Sequence, residues 1–93
     1  MPKIELTSKA RSDLDGIFDY YLPVIGSKAA DQAIAHILER LTTLENFPHL
    51  GNASAIADCR ELIFRQYPYR AIYSLVAGTL VVYRIIHQNA DRH

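Results

Sequence analysis

Six side chains toward the C-terminus have the chemistry to hold or move a phosphate or a carboxylate: Arg60, Arg65, Arg70, Tyr83, Arg84 and His87. Guanidinium groups make planar, bidentate contacts with either oxyanion. A histidine titrates near neutrality and suits acid–base work. A tyrosine supplies a hydroxyl on an apolar body. Each side chain also has a structural reading. Arg84 sits mid-strand between Val82 and Ile86, where an ion pair to Glu61 or Glu45 would hold it. Tyr73 and the other tyrosines fit the core or a sheet face. Arg60 and Arg70 can fix a sheet. His36 and His49 read as surface or loop residues.

The charge distribution singles out the same region. The 93 residues carry ten basic and ten acidic side chains. Residues 1–59 hold five Lys/Arg against eight acids, a net −3, and residues 60–93 hold five arginines against Glu61 and Asp91, a net +3. No lysine follows Lys28. The two halves either pair their charges within the fold or leave a basic surface for a partner. The single cysteine, Cys59, builds neither a disulfide nor a zinc site and is expected to be buried packing in a reducing, cytoplasmic setting. No phosphate-binding loop, metal-ligand spacing or Ser–His–Asp set can be assembled, so no cofactor or metal is expected. No apolar run approaches the length of a membrane span, and no secretory leader is visible.

The elements that position these residues follow from periodicity. Residues 3–7 alternate polar and apolar and predict a short strand with Ile4 and Leu6 on one face. Thr7 or Ser8 then caps a helix whose stripe is Ala10, Leu14, Ile17, Phe18 and Tyr21, with Asp13, Asp15 and Asp19 facing water. Pro23 stops it. Ser27 opens a second helix with the stripe Ala30, Ala33, Ile34, Ile37, Leu38, Leu41 and Leu44, ended by Phe47-Pro48. The pair is a helical hairpin. Residues 48–58 read as a loop. Strands are expected at 60–67, 69–77 and 79–87, the last two joined by a tight turn at Ala77-Gly78. In the last strand Leu80, Val82, Arg84 and Ile86 are expected on one face and Val81, Tyr83, Ile85 and His87 on the other. Both faces are apolar, which places this strand inside the sheet, with one face dotted by arginines as a groove for a peptide. The expected fold is a single α+β domain over 1–93: a short N-terminal strand, a helical hairpin, then a three-stranded antiparallel meander.

Local motifs in this order resemble the ParE/RelE-like toxins, and the ParE branch most. The first helix, Ala10-Arg-Ser-Asp-Leu-Asp-Gly-Ile-Phe-Asp-Tyr-Tyr21, is similar to the family's "A..DL..I..YY". Leu44-Glu-Asn-Phe-Pro-His-Leu-Gly51 looks like "L..FP.LG". Arg60-Glu-Leu62, Tyr69-Arg-Ala-Ile-Tyr73 and the terminal His87 to Asp91 resemble "R.L", "YR..Y" and "H...D". The resemblance implies the RelE/ParE-like fold and a toxin neutralised by a ParD-like antitoxin. In the ParE branch it implies a DNA gyrase inhibitor that causes growth arrest without catalysis or direct nucleic-acid binding.

The alternative is a RelE-like, ribosome-dependent messenger ribonuclease. Cleavage without a metal needs a base, an acid and cations on the phosphate. His87, Arg65, Arg84 and Tyr83 would supply them, and His87 ends the last strand, where related ribonucleases can place a catalytic residue. Against this stand the missing lysine cluster, the zero net charge and the "FP.LG" motif; His87 then only holds the C-terminal turn through Asp91. In the binding reading, contacts with antitoxin or target fall to Arg60, Arg65, Arg70, Tyr73, Arg84 and His87. A third reading is a family member that binds but no longer poisons.

Overall fold

The chain begins with a strand too short to cover its neighbour, and the rest of the fold compensates for that shortfall. In the computed structural model, which describes residues 3–88, β1 (Lys3–Leu6) runs parallel to the C-terminal strand, pairing Lys3 with Thr79 through Leu6 with Val82. Parallel neighbours need a long crossover, and the helices supply part of it. Thr7 turns the chain into them: its hydroxyl accepts the Ala10 N–H at 3.1 Å, satisfying one of the donors a helix start leaves open.

The helical segment Ser8–Thr42 is interrupted at Gly26, whose φ of 87° and ψ of 165° are not helical. We call 8–25 α1 and 27–42 α2. Unbroken, 35 residues would extend about 52 Å at ~1.5 Å each, whereas the longest dimension of the molecule is 39 Å. Residues of both helices, among them Leu14, Phe18, Ile34 and Leu38, line one shared cleft, so the segment folds back as a hairpin. Pro23 does not end α1 as expected. Proline removes one backbone donor, but its fixed φ is itself helical. Reversing the chain takes a positive φ, which Gly26 provides without steric cost. A short 3₁₀ turn, Thr43–Glu45, follows α2.

The sheet is larger than the expected three-stranded meander. It has five strands in the order β1-β5-β4-β3-β2, with β2 Asn52–Ala53, β3 Arg60–Ile63, β4 Tyr69–Val76 and β5 Thr79–His87. The segment expected as pure loop contributes β2, and the parallel β1 makes the sheet mixed. β3 ends four residues earlier than expected because Arg65–Pro68 turn away from the sheet. β4 and β5 are joined by the two-residue turn Ala77-Gly78, both at positive φ, matching the twist of the flanking strands.

The core lies between the helices and one sheet face. Tyr73, Phe64, Ile37, Leu41, Leu44, Leu80, Ile85 and Val82 are its largest fully buried side chains. Each such apolar burial is worth about 1.5–3 kcal/mol, so packing rather than surface charge holds the layers together. On β5 the buried residues are Leu80, Val82 and Ile85, a spacing of two and then three. A bulge causes the change: Ile72 pairs with Arg84 but Tyr73 pairs with Val82, leaving Tyr83 as the extra residue. The expected faces of β5 therefore hold only up to Val82. Past the bulge, Ile85 takes the core position that strict alternation assigned to Arg84 and Ile86.

Beyond Leu6, β1 no longer covers the outer edge of β5. Thr7 N–H donates to Val82 C=O at 3.1 Å and Thr7 Oγ1 to Tyr83 C=O at 2.8 Å. Asp13 takes the next position: its Oδ2 accepts the Ile85 N–H at 2.9 Å and the Arg84 Nε–H at 2.8 Å, and its Oδ1 accepts from Arg84 Nη2 at 3.0 Å. Asp13 thus points to the sheet rather than to water, and it replaces Glu61 or Glu45 as the partner of Arg84. Asp13→Ala is expected to lower unfolding free energy by about 2 kcal/mol, since it leaves a backbone donor and a guanidinium without their acceptor. Urea denaturation checks this as a lower midpoint with an unchanged m value.

Candidate functional site

The motif residues converge on the loop at 47–51 rather than on a reactive centre. Tyr73, 1% exposed, reaches from β4 to this loop. Its hydroxyl accepts the Gly51 N–H at 2.9 Å and donates to Pro48 C=O at 3.0 Å. Arg60 on β3 donates through Nη1 to Gly51 C=O at 2.7 Å and to His49 C=O at 3.3 Å. Gly51 is required by close approach: a Cβ there would lie 2.7 Å from Glu61 C=O and 2.8 Å from Tyr73 Oη. The three motifs "FP.LG", "R.L" and "YR..Y" are therefore one anchoring cluster.

Arg70 and Arg84 are also engaged. Arg70 Nε lies 3.4 Å from Glu61 Oε1 with both side chains mostly buried, and its Nη1 donates to Gln88 C=O at 2.8 Å. Glu61 Oε2 accepts from Ser54 Oγ at 2.7 Å. Arg84 is held by Asp13, whose hydrogen bond raises the guanidinium pKa further above its ordinary value. Tyr83 Oη and Ser74 Oγ are 2.9 Å apart. The sheet face away from the helices is less open than expected, since Ile72 and Ser74 are only 6% and 8% exposed. Arg65 is exposed in the β3–β4 connection.

His87 is exposed and opens on a cleft of 540 Å³ between α1 and the end of β5. Tyr20, Tyr21 and Tyr69 line it with His87, and Asp13 and Gly16 complete one wall. The rings form a continuous series of edge contacts, from His36 through Tyr67, Tyr21 and Tyr69 to His87 at centroid distances of 5.5–6.4 Å. His36 is thus packed against Tyr67 rather than an ordinary surface residue. Burial, and then the adjacent Tyr21 side chain, push the Tyr69 hydroxyl up to about 12, so it stays protonated at neutral pH and is no base. Asp91, the expected partner of His87, lies outside the described residues. Cys59 is half-buried rather than fully buried; desolvation and then Asp58 raise its thiol pKa, which keeps it unreactive.

His87 and Arg65 line different clefts, and Arg84 and Tyr83 are tied to Asp13 and Ser74. Among the described residues, no cluster of three His, Cys, Asp or Glu suited to a metal ion occurs, and no helix is long and apolar enough to cross a membrane. The exposed surface is instead rich in large apolar groups. Tyr20, Leu22, Val24 and Ile25 crowd the hairpin tip, and Phe47 and Leu50 project from the anchored loop. Sequence reasoning missed Asp13, although its position beside Ala10, Leu14 and Ile17 falls on the buried helical stripe.

Comparison with known proteins gives a consistent result. A family model described as the ParE toxin of the type II toxin–antitoxin system parDE matches residues 4–92. A chain of the chromosomal ParDE toxin–antitoxin system from P. aeruginosa is 28% identical with a TM-score of 0.88, covering 94% of this chain and 96% of that one. The intact E. coli RelBE toxin–antitoxin complex contributes a chain 14% identical with a TM-score of 0.64, covering 94% and 96%. The isolated E. coli RelE toxin is 15% identical with a TM-score of 0.64, covering 100% and 88%. At these two identities the likeness is one of fold. No match was found among curated protein sequences.

Two outcomes are expected of the cluster and the aromatic cleft. Gly51→Ala, which forces a methyl into backbone and ring atoms, destabilises by about 2–4 kcal/mol, and Tyr73→Phe by about 1–3 kcal/mol through two lost hydrogen bonds; calorimetry of both variants measures this. Tyr69 ionises near pH 12 in the native protein, against about 10 for an unperturbed tyrosine. The folded state therefore holds this proton more tightly. The associated stability is complete below pH 10 and declines as pH rises toward 12. Ultraviolet titration of the protein against Tyr69→Phe isolates the late phase.

Proposed function

We propose that this chain, which belongs to the ParE toxin family of type II toxin–antitoxin systems, acts by binding: it inhibits DNA gyrase, arrests growth, and is neutralised in the cytoplasm by a cognate ParD-like antitoxin. The observation that carries the reading is the employment of the arginines. Arg60, Arg70 and Arg84 are each committed to carbonyl or carboxylate groups of the fold. A metal-free nuclease site needs such cations aimed at a phosphate. Here these three are pins of the scaffold, while large apolar groups such as Tyr20, Val24 and Phe47 stand exposed.

An apolar cleft of 500 Å³ between α1 and α2, lined by Leu14, Phe18, Ile34 and Leu38 with Asp15 and Asp31 at its margins, is the surface the antitoxin's C-terminal segment would cover. An amphipathic helix laid in a groove is one of the recurring ways to bury such a surface. The relative from a ParDE toxin–antitoxin system supports an antitoxin as partner.

Purified protein is expected to abolish DNA supercoiling by gyrase, with activity restored by the antitoxin. No effect on supercoiling, combined with message cleavage on translating ribosomes, would replace this reading with the RelE-like one. His87→Ala separates the two further. An acid–base role loses about 10²–10⁴-fold in cleavage rate, whereas a contact in a binding surface changes inhibition several-fold.

A further inference from the structure

The outer edge of β3 is only half covered. β2 pairs with Arg60 and Glu61 alone, while β3 continues to Ile63. Phe64 N–H donates to Tyr69 C=O at 3.0 Å, so Phe64 and Leu62 turn their backbone groups toward β4. Alternation then turns those of Ile63 outward, where no strand of the sheet lies. This edge borders a cleft of 370 Å³ with Arg40 from α2, Arg65 from the β3–β4 turn, Leu50, Ile63 and Glu61 in its walls. Leu50 and Ile63 are 47% and 43% exposed. The carboxylate of Glu61 is occupied by Arg70 and Ser54, so the two arginines set the sign of the cleft.

We propose that this edge is a strand-addition site for an extended, acidic segment of a partner protein, one that alternates carboxylates with apolar side chains. The backbone of Ile63 would pair with the added strand, Leu50 and Ile63 would take its apolar side chains, and Arg40 and Arg65 its carboxylates. An uncovered edge invites such pairing. A second copy of this chain is a poor occupant, because a two-fold contact would bring Arg40 and Arg65 against their own counterparts. A nucleic acid would use the arginines but neither the backbone edge nor Leu50 and Ile63. The proposal rests on reading the chain as a binding protein, but the site is separate from the helical cleft.

The test uses the full chain and a labelled heptapeptide, Asp-Val-Glu-Val-Asp-Val-Glu, followed by fluorescence anisotropy. The peptide is expected to bind and to weaken with salt, and Arg65→Glu and Arg40→Glu are each expected to reduce affinity about tenfold with unchanged melting. Amide NMR shifts should centre on Ile63 and Leu50. Methylating alternate backbone nitrogens of the peptide, which needs no protein variant, should remove binding. Equal binding of a lysine-for-acid peptide, retained binding of the methylated peptide, or shifts centred on the α1–α2 cleft would each overturn the proposal. So would a heptanucleotide of uridine that binds more tightly with the same arginine dependence. Supercoiling inhibition is read separately: its loss with peptide binding intact refutes the gyrase reading alone, and the reverse refutes only the edge site.

Discussion

The fold depends on how the outer edge of β5 is closed. β5 joins the parallel and antiparallel parts of the sheet, yet its neighbour β1 stops at Leu6. An open edge inside a packed protein leaves backbone donors without water or partner. Thr7 and Asp13 fill that place, one at the mouth of α1 and one a turn and a half into it. The same contacts fix the angle at which α1 meets the sheet. A charged group accepting three hydrogen bonds is stronger than the median surface ion pair, which is worth about 0–1 kcal/mol. The bulge at Tyr83 belongs to the same arrangement. It restores Ile85 to the core while leaving Arg84 able to reach Asp13.

A second consequence concerns what a family motif means. Residues that would be first choices for a phosphate or a partner contact, Arg60, Arg70 and Tyr73, hold a loop and a sheet face in place. Their types follow from geometry. A guanidinium can reach two loop carbonyls at once, and a phenol can accept from one backbone group while donating to another. The chemistry that makes a side chain useful in catalysis also makes it useful as a structural tie, so function has to be read from what remains uncommitted.

Much of this was legible from periodicity. The centre of each helix's buried stripe, the cap at Thr7, the interior place of β5 and the turn at 77–78 all follow from spacing and residue type, whereas Leu38, expected on the stripe, is 39% exposed. The bulge was not, because both faces of β5 are apolar and a shift of one residue leaves the pattern looking unchanged. The partner of Arg84 is hidden for a related reason: charge alone assigns Asp13 to the solvent, although its spacing puts it on the buried stripe. Gly26 rather than Pro23 ends α1 because a break in hydrogen bonding and a reversal of the chain are different events. β2 is two residues long, below what alternation can signal. For the candidate site residues, sequence alone cannot tell a clamp on a ligand from a clamp on the protein's own loop.

The distribution of exposed apolar groups follows from these commitments. A chain of 93 residues has few side chains with which to build a core, and such domains are stable by a narrow margin. With Arg60, Arg70 and Arg84 spent on ties, the protein still leaves Tyr20, Val24 and Phe47 each at least 64% exposed. Burying that surface on a partner adds binding free energy to folding free energy, so a bound form gains stability in proportion to the logarithm of partner concentration. A protein built this way is most stable when it is covered. Its free form presents apolar ends on a scaffold stiffened by internal ion pairs.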